Sequence, residues 1–117
     1  MEKRNLGNTG TKVGALGIGA MSFSDFYGPT NTQESHAILK MALDNGIDHI
    51  DTAKVYGMGL SEERIGQFLN TLSSSDRQFF KIATKGGIDR KNFDDKGTVV
   101  FDNSKEFLTE ELDNSLK

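Results

Sequence analysis

Residues 46–57 read GIDHIDTAKVYG, and this stretch decides the fold. The run at residues 47–51 is too short for a helix and passes directly into a loop that contains glycine, so it predicts a strand. Short apolar runs predict two more strands, at residues 16–20 and 79–84, and helical patterns separate the three. Strands that alternate with helices imply right-handed βαβ units and a parallel sheet.

The first helix is predicted between residues 31 and 45. Asn31, with Glu34 three positions later, is typical of a capping box at a helix start. Asn45 and Gly46 are typical of a helix end. An apolar stripe at helical spacing marks the face expected to pack on the core, and it comprises Ile38, Met41 and Ala42.

Two further helices are predicted from their caps. Ser61 is expected to cap the second helix, and Ser104 the third. The buried face predicted for the second helix comprises Ile65, Phe68 and Leu69. The third helix has an apolar stripe, expected to be core packing where the barrel is present, that comprises Leu108, Leu112 and Leu116. Residues 73–76, SSSD, are expected to form a turn before the third strand.

The N-terminal region is predicted to hold a hairpin and a binding loop. Residues 3–6 and 12–16 flank Asn8, Thr9 and Gly10, which tolerate the backbone of a tight turn. After the first strand of the sheet comes a long loop with Phe23, Phe26, Tyr27, Gly28 and Pro29. A loop of this kind at the end of a buried strand is typical of a binding loop.

The composition describes one ordinary domain over residues 1–117, with 35% hydrophobic and 26% charged residues. The net charge of -3 and the scattered lysines and arginines argue against nucleic acid or an anionic membrane as partners. Because there is no cysteine, the chain has neither disulfides nor a thiolate nucleophile. No segment has the run of about 18 apolar residues that a membrane span requires, and we expect a cytoplasmic protein.

Three ionisable side chains are predicted at one rim of the sheet. Asp51 ends the second strand, Tyr56 follows in the next loop, and Lys85 ends the third strand. Adjacent parallel strands lie about 4.8 Å apart, so Asp51 and Lys85 are expected to form an ion pair with Tyr56 folded over them. An adjacent ammonium lowers the pKa of a phenol, which makes Tyr56 a candidate proton donor to a carbonyl oxygen.

Spacing alone leaves other interpretations open. Asp51 and Lys85 are compatible with a structural ion pair, and three βα units could equally begin a flavodoxin-like, doubly wound domain. Tyr27 is a rival phenol, but it lacks the partner spacing of Tyr56 and is better explained as a pocket or surface aromatic. The charged run at residues 89–96 is most simply a solvated loop.

Two apparent ligand motifs have simpler explanations. The glycines of a possible dinucleotide fingerprint are in the wrong order, with no helix directly after them, and close strand packing explains them better: Gly14, Gly17 and Gly19. His36 and His49 are not accompanied by cysteine or by an H-E-x-x-H spacing, so no metal site is predicted.

The motifs resemble the aldo-keto reductase signature in its order and spacing. The matching segments are GIDHIDTAKVYG at 46–57, GLSEERIG at 59–66, ATK at 83–85, LGNTG at 6–10 and LGIGAM at 16–21. The resemblance therefore covers essentially the whole chain. It implies an α/β fold: an N-terminal hairpin and the first three βα units of a (β/α)8 TIM barrel, truncated, as a single partial domain.

The resemblance also implies a reaction and a cofactor. Family members reduce aldehydes and ketones, small carbonyl substrates, by hydride transfer from NADPH. Tyr56 would be the general acid, tuned by Lys85 and Asp51. The residues implied around the nicotinamide are Gly19, Ala20, Met21 and Asp51.

One departure from the family pattern is large. The fourth catalytic residue of the family, a histidine after the fourth strand, aligns beyond Lys117, as does most of the cofactor's phosphate and adenine site. Neither His36 nor His49 aligns with it. The alternative expectation is therefore a catalytically inactive fragment, or at most an assembly partner.

Overall fold

The structure is a computed structural model that describes residues 1–89 and 99–117. The strands are β1 (Lys3–Asn5), β2 (Lys12–Gly14), β3 (Gly17–Gly19), β4 (His49–Asp51), β5 (Lys81–Ala83), β6 (Ile88–Asp89) and β7 (Val100–Phe101). The α-helices are α1 (Thr32–Asp44), α2 (Leu60–Leu69), α3 (Ser74–Phe79) and α4 (Lys105–Ser115). Two 3-10 turns, Ala20–Ser24 and Tyr56–Gly59, follow β3 and precede α2.

The central sheet is parallel, as predicted, with the order β3-β4-β5. Ile50 lies at its centre, paired in register with Ile18 on one side and Ile82 on the other. The same register places Asp51 between Gly19 and Ala83 at the carboxyl ends of the strands. Each strand is three residues long, shorter than predicted.

The N-terminal hairpin is confirmed and is fastened to the sheet by one buried carboxylate. β1 and β2 pair antiparallel. Asp48, directly before β4, is 1% exposed; it accepts hydrogen bonds from the Gly14 amide at 2.6 Å and from the Lys3 ammonium at 2.6 Å. Burial alone would raise the pKa of Asp48, but these hydrogen bonds and the charges of Lys3 and Lys81 outweigh it, so the pKa is lowered.

The core lies between the sheet and the helices α1 and α2. Ile50 and Leu39 are fully buried, and removing such a side chain from water stabilises the fold by about 1.5–3 kcal/mol. The other buried apolar side chains of this cluster are Ala20, Phe23, Ala42, Ile65, Phe68, Leu69 and Phe80. The buried face predicted for the second helix is therefore confirmed.

The face predicted for the first helix is partly wrong. Asn31 caps α1 by accepting from the Glu34 amide, as predicted. However, Ile38 is 47% exposed and Met41 is 67% exposed. The buried residues of α1 are Ser35, Leu39 and Ala42. Ser35 can face the core because its hydroxyl donates to the Asn31 carbonyl at 3.1 Å and so has a partner without water.

Two other local predictions are corrected. Ser61 does not cap the second helix, because α2 begins at Leu60 and its N-cap is Gly59, which has a φ of 101°. Residues 73–76 do not form a simple turn: Ser73 caps the helix α3, which occupies the start of the predicted third strand. The Ser73 cap is a local interaction, in which its hydroxyl oxygen accepts from the Asp76 amide, whereas Ser61 is bound by residues distant in the chain.

The C-terminal region contains an unpredicted hairpin and a confirmed helix. β6 and β7 pair antiparallel, so Asp89 is a buried strand residue and not part of a solvated loop. The rest of that predicted loop, residues 90–96, lies outside the described residues. Ser104 caps α4, as predicted. The stripe expected to pack in the core of a barrel is exposed in this chain: Leu108, Leu112 and Leu116. In residues 1–89 and 99–117, no helix combines the length and apolar character of a membrane span.

Candidate active site

The predicted ion pair lies at the carboxyl edge of the central sheet. Asp51 is the last residue of β4, and Lys85 follows β5 by two residues. The Lys85 ammonium donates to Asp51 Oδ1 and, at 2.9 Å, to the Thr52 carbonyl. Both charged side chains are about half exposed, so the pair is open to a ligand from solvent. The parallel register brings these residues together, as the strand ends predicted.

The charge of Lys85 is stabilised by its neighbours. Partial burial would lower the pKa of Lys85, but the hydrogen bond and charge of Asp51, followed by the charge and hydrogen bond of Tyr56, outweigh it. The pKa of Lys85 is therefore raised above its ordinary value. Lys85 is thus a cation at neutral pH, fixed between a carboxylate and a phenol.

Tyr56 lies over Lys85, in a turn with an unusual backbone. The Lys85 ammonium is 5.3 Å from the centroid of the Tyr56 ring. Gly57, Met58 and Gly59 all have positive φ, at 64°, 54° and 101°. A Cβ on Gly57 would lie 2.8 Å from Ser24 Cβ, so only glycine fits where this turn meets the first loop. The turn therefore fixes the approach of Tyr56 to Lys85.

The residues implied around a nicotinamide differ in their exposure and in the space around them. Gly19 is the register partner of Asp51, and a Cβ on Gly19 would meet no atom within 4 Å, so open space lies beside the carboxylate. Met21 is partly exposed. Ala20 is fully buried, and its carbonyl accepts from Ser61 Oγ.

A pocket of about 360 Å³ opens beside Tyr56 and Lys85. Besides these two residues, its walls include Ala53, Phe101 and Glu111. A second pocket, of about 460 Å³, lies between the first loop and α1 and includes Tyr27 in its wall. Tyr27 packs edge-on against Phe26 and is largely exposed, so the structure does not bring this rival phenol to the ion pair.

Comparison with known proteins identifies the family. Residues 15–117 match the model of the Aldo/keto reductase family. The chain belongs to the aldo-keto reductase family. It is 38% identical over 94 residues to L-galactose dehydrogenase of Arabidopsis thaliana, covering 80% of this chain and 29% of that protein. It is 32% identical to the aldo-keto reductase YhdN of Bacillus subtilis, covering 100% of this chain and 34% of YhdN.

A solved aldo-keto reductase gives the same result for the fold. The holo form of the enzyme from Bacillus halodurans superposes with a TM-score of 0.81 at 33% identity, over 99% of this chain and 35% of that one. The solved aldo-keto reductases are TIM barrels, and this chain shares their α/β order and parallel sheet. The chain thus spans about a third of the length of the relatives that it matches.

Several residues of this aldo-keto reductase site were not found by sequence reasoning. Thr52 supplies the carbonyl that binds Lys85, and Phe101 and Glu111 line the pocket. Glu62 accepts from Thr84 Oγ1 at 2.5 Å, beside Lys85 in sequence, and from Ser115 Oγ of α4 at 2.9 Å. The position of Glu62 directly after Ser61 in the 59–66 motif is the sequence signal that could have indicated it.

The two histidines make contacts within the fold. His36 Nε2 is 2.9 Å from the Arg64 carbonyl, and its ring lies 5.5 Å from that of Phe68. His49 lies in β4, packed against Gly17 of β3. In the part of the chain that the structure describes, no three His, Asp or Glu side chains are grouped so that they could hold a metal ion.

Proposed function

We propose that this chain is the N-terminal part of an oxidoreductase that reduces an aldehyde or ketone with NADPH, using Tyr56 as the general acid. One observation carries the proposal: the Lys85 ammonium lies between the Asp51 carboxylate and the Tyr56 ring. In this proposal the described sheet is the first three-strand part of a (β/α)8 barrel, closed below by the β1–β2 hairpin. Membership of the family supports the carbonyl chemistry.

The geometry supports a proton transfer from Tyr56. The Lys85 ammonium, 5.3 Å from the centroid of the Tyr56 ring, would stabilise the negative charge left on Tyr56 after its proton is donated. Asp51 accepts a hydrogen bond from Lys85 and stabilises its charge, which keeps the ammonium beside Tyr56. Tyr56 would donate its proton to the substrate carbonyl oxygen, with the substrate in the pocket that Phe101 borders.

The residues at the end of β3 fit a nicotinamide. A flat ring needs open space beside the reacting carbonyl, and the space over Gly19 next to Asp51 is open. Gly19 and Met21 would border the ring, while Ala20 would support them from below. NADPH, when bound, supplies the hydride that reaches the carbonyl carbon. A relative from fission yeast is named for NADP(+), which supports the choice of cofactor.

A second candidate is that the 117-residue chain is catalytically inactive by itself, as a fragment or an assembly partner. The resemblance aligns the family's catalytic histidine, and most of the cofactor's phosphate and adenine site, beyond Lys117. Ile82 of β5, which pairs in register with Ile50 of the central strand, is 44% exposed. The leucines of the α4 stripe are exposed too. Apolar side chains left in water favour aggregation, so we expect the isolated chain to be marginally stable.

Turnover by the purified chain separates the two candidates. NADPH oxidation is followed with a generic aldehyde for the wild type, Tyr56→Phe and Tyr27→Phe. Loss of a positioned general acid is expected to lower kcat by about 10²–10⁴-fold in Tyr56→Phe. Tyr27→Phe, the matched control, is expected to stay within about twofold, because Tyr27 lies away from Lys85.

Each result of this assay has a definite meaning. Equal turnover by Tyr56→Phe and the wild type would refute the role of Tyr56. A folded wild-type chain that oxidises no NADPH would favour the inactive fragment. In that case, the same substitution is made in a polypeptide that also supplies the remaining strands of the barrel, where the expected loss of kcat applies again.

A further inference from the structure

One face of α2 carries two buried polar side chains that bind the same turn. Ser61 is fully buried, and its hydroxyl donates to the Ala20 carbonyl at 2.8 Å. Arg64, one helical turn further on, is 8% exposed, and its Nη1 donates to the Phe23 carbonyl at 2.6 Å. The two carbonyls belong to the turn Ala20–Ser24. Helix α2 therefore holds both ends of this turn.

The Ser61 contact continues to the strand that carries Asp51. Thr52 Oγ1 is 2.9 Å from Ser61 Oγ, and both side chains are fully buried. A serine hydroxyl has one hydrogen, and that of Ser61 is directed to the Ala20 carbonyl, so Thr52 must be the donor to Ser61. The result is a directional chain of two hydrogen bonds, from Thr52 through Ser61 to Ala20.

Thr52 is also joined to the ion pair through its own backbone. Its amide donates to the Ala83 carbonyl at 2.8 Å, and its carbonyl accepts from the Lys85 ammonium at 2.9 Å. One residue thus links β5 and Lys85 on one side to the turn after β3 on the other. A displacement of the Thr52 peptide would move Lys85 and Ala20 together.

Holding the loop with Arg64 requires the desolvation of a buried guanidinium, which suggests that the position of the loop is important. Its Nε is buried with no hydrogen-bond partner in the described part of the chain. Its ion-pair partner, Asp25, is 3.8 Å away and about half exposed. Asp25 itself has a φ of 63° and accepts from the Thr30 amide at 2.8 Å, which tightens the loop beyond the turn. An apolar residue would avoid this desolvation but would leave the Phe23 carbonyl without its donor.

We infer that Ser61 and Arg64 are positioning residues, which fix the turn Ala20–Ser24 at a set height above Asp51 and Lys85. The inference rests on the proposed function in one respect, namely that this turn borders the nicotinamide. Neither residue needs to touch substrate or cofactor. Their effect is transmitted through the Ala20 and Phe23 carbonyls and through Thr52.

The test compares hydroxyl deletions at two buried serines in the full chain. Ser61→Ala removes the link, whereas Ser35→Ala removes an equally buried hydroxyl that bonds only within α1. The first readout is amide hydrogen exchange in residues 21–25, and the second is the NMR signal of the Lys85 ε-methylene, assigned with Lys85→Arg. Ser61→Ala is expected to speed exchange about tenfold and to shift the Lys85 signal. Ser35→Ala is expected to change neither.

A merely structural role predicts a different result. If Ser61→Ala and Ser35→Ala lower stability alike and both leave the Lys85 signal unchanged, the inference is refuted. Should Ser61→Ala not fold, Thr52→Val and Thr52→Ser decide the same question, because only the serine variant keeps the hydroxyl. A Lys85 signal that shifts equally in both would overturn the inference, and restoration by Thr52→Ser would support it.

Cofactor affinity provides an independent readout for Arg64. The dissociation constant of NADPH is expected to rise about tenfold in Arg64→Met and less in Arg64→Lys, which keeps a donor for the Phe23 carbonyl. Equal affinity in the wild type and Arg64→Met would contradict the role of Arg64. A wild-type chain that binds no NADPH would favour the inactive fragment, and amide exchange in residues 21–25 of Arg64→Met and Arg64→Lys would then decide the role of Arg64 without cofactor: faster exchange in Arg64→Met supports it, and unchanged exchange refutes it.

Discussion

Replacing Asp48 by alanine is expected to release the N-terminal hairpin from the sheet. The Asp48 carboxylate binds Lys3 of β1 and the Gly14 amide of β2, and it lies 3.7 Å from the Lys81 ammonium of β5. These contacts join three strands from two sheets at one buried point. Asp44→Ala is the matched control, because Asp44 forms an exposed ion pair with Lys40 within α1.

The size of the effect follows from which partners are left buried. The Gly14 amide is buried, and a buried donor without an acceptor costs about 1–3 kcal/mol. Lys3 and Lys81 are each more than a third exposed, so water restores most of their solvation and each lost pair costs only about 0–1 kcal/mol. We therefore expect Asp48→Ala to lower the free energy of unfolding by about 1–5 kcal/mol, and Asp44→Ala by less than about 0.5 kcal/mol.

Urea unfolding followed by circular dichroism measures this difference. With a denaturant slope of about 2 kcal/mol per molar, the urea midpoint is expected to fall by roughly 0.5–2.5 M in Asp48→Ala. Because the folded pKa of Asp48 is lowered, the carboxylate stabilises the fold above the unfolded pKa of about 3.9 and loses this effect as the pH falls through the folded pKa. The gap between wild type and variant should therefore close in acid. Equal midpoints for Asp48→Ala and Asp44→Ala at pH 7 would refute the reasoning.

Two further predictions concern the rim and the helix α4. Gly57→Ala places a Cβ 2.8 Å from Ser24 Cβ at positive φ and is expected to lower the free energy of unfolding by about 2–4 kcal/mol. In the control Gly66→Ala, in α2, the Cβ meets nothing within 4 Å, and the free energy of unfolding should rise by about 0.5–1 kcal/mol. Urea midpoints measure both changes. Burial and nearby carboxylates raise the pKa of Glu111 despite Lys54, so Glu111→Gln should be more stable than wild type at pH 8. This difference should vanish below pH 4, and equal stability at pH 8 would contradict it.

The parts of the fold that the sequence predicted are those with local signals. The caps Asn31 and Ser104 are confirmed because a side chain that binds an amide three residues later is a local interaction. The meeting of Asp51 and Lys85 was predictable from topology, since parallel strands place their carboxyl ends at one edge. Neither prediction required knowledge of distant contacts.

The parts that the sequence did not predict depend on distant contacts. Ser61 has the residue type and position of a helix cap, but its hydroxyl donates a hydrogen bond to the carbonyl of Ala20, 41 residues earlier in the chain. Ile38 and Met41 have the spacing of a buried face, yet which face is buried depends on how α1 lies on the sheet. The antiparallel pairing of β6 and β7 was not predicted because each paired segment is only two residues long. A window of a few residues contains no information on such partners.

The two aspartates that bracket β4 have a practical consequence. Asp48 precedes the strand and Asp51 ends it, so they are about 10 Å apart at 3.3 Å per residue. Substitutions separated by more than about 7–10 Å and without shared partners usually have additive effects. Heat resistance can therefore be engineered at the hairpin end, by varying Lys3 and its neighbours, while Lys85 and the proposed acid Tyr56 stay unaltered. A single strand three residues long thus separates the buried ion pair of the hairpin from the site at which proton transfer is proposed.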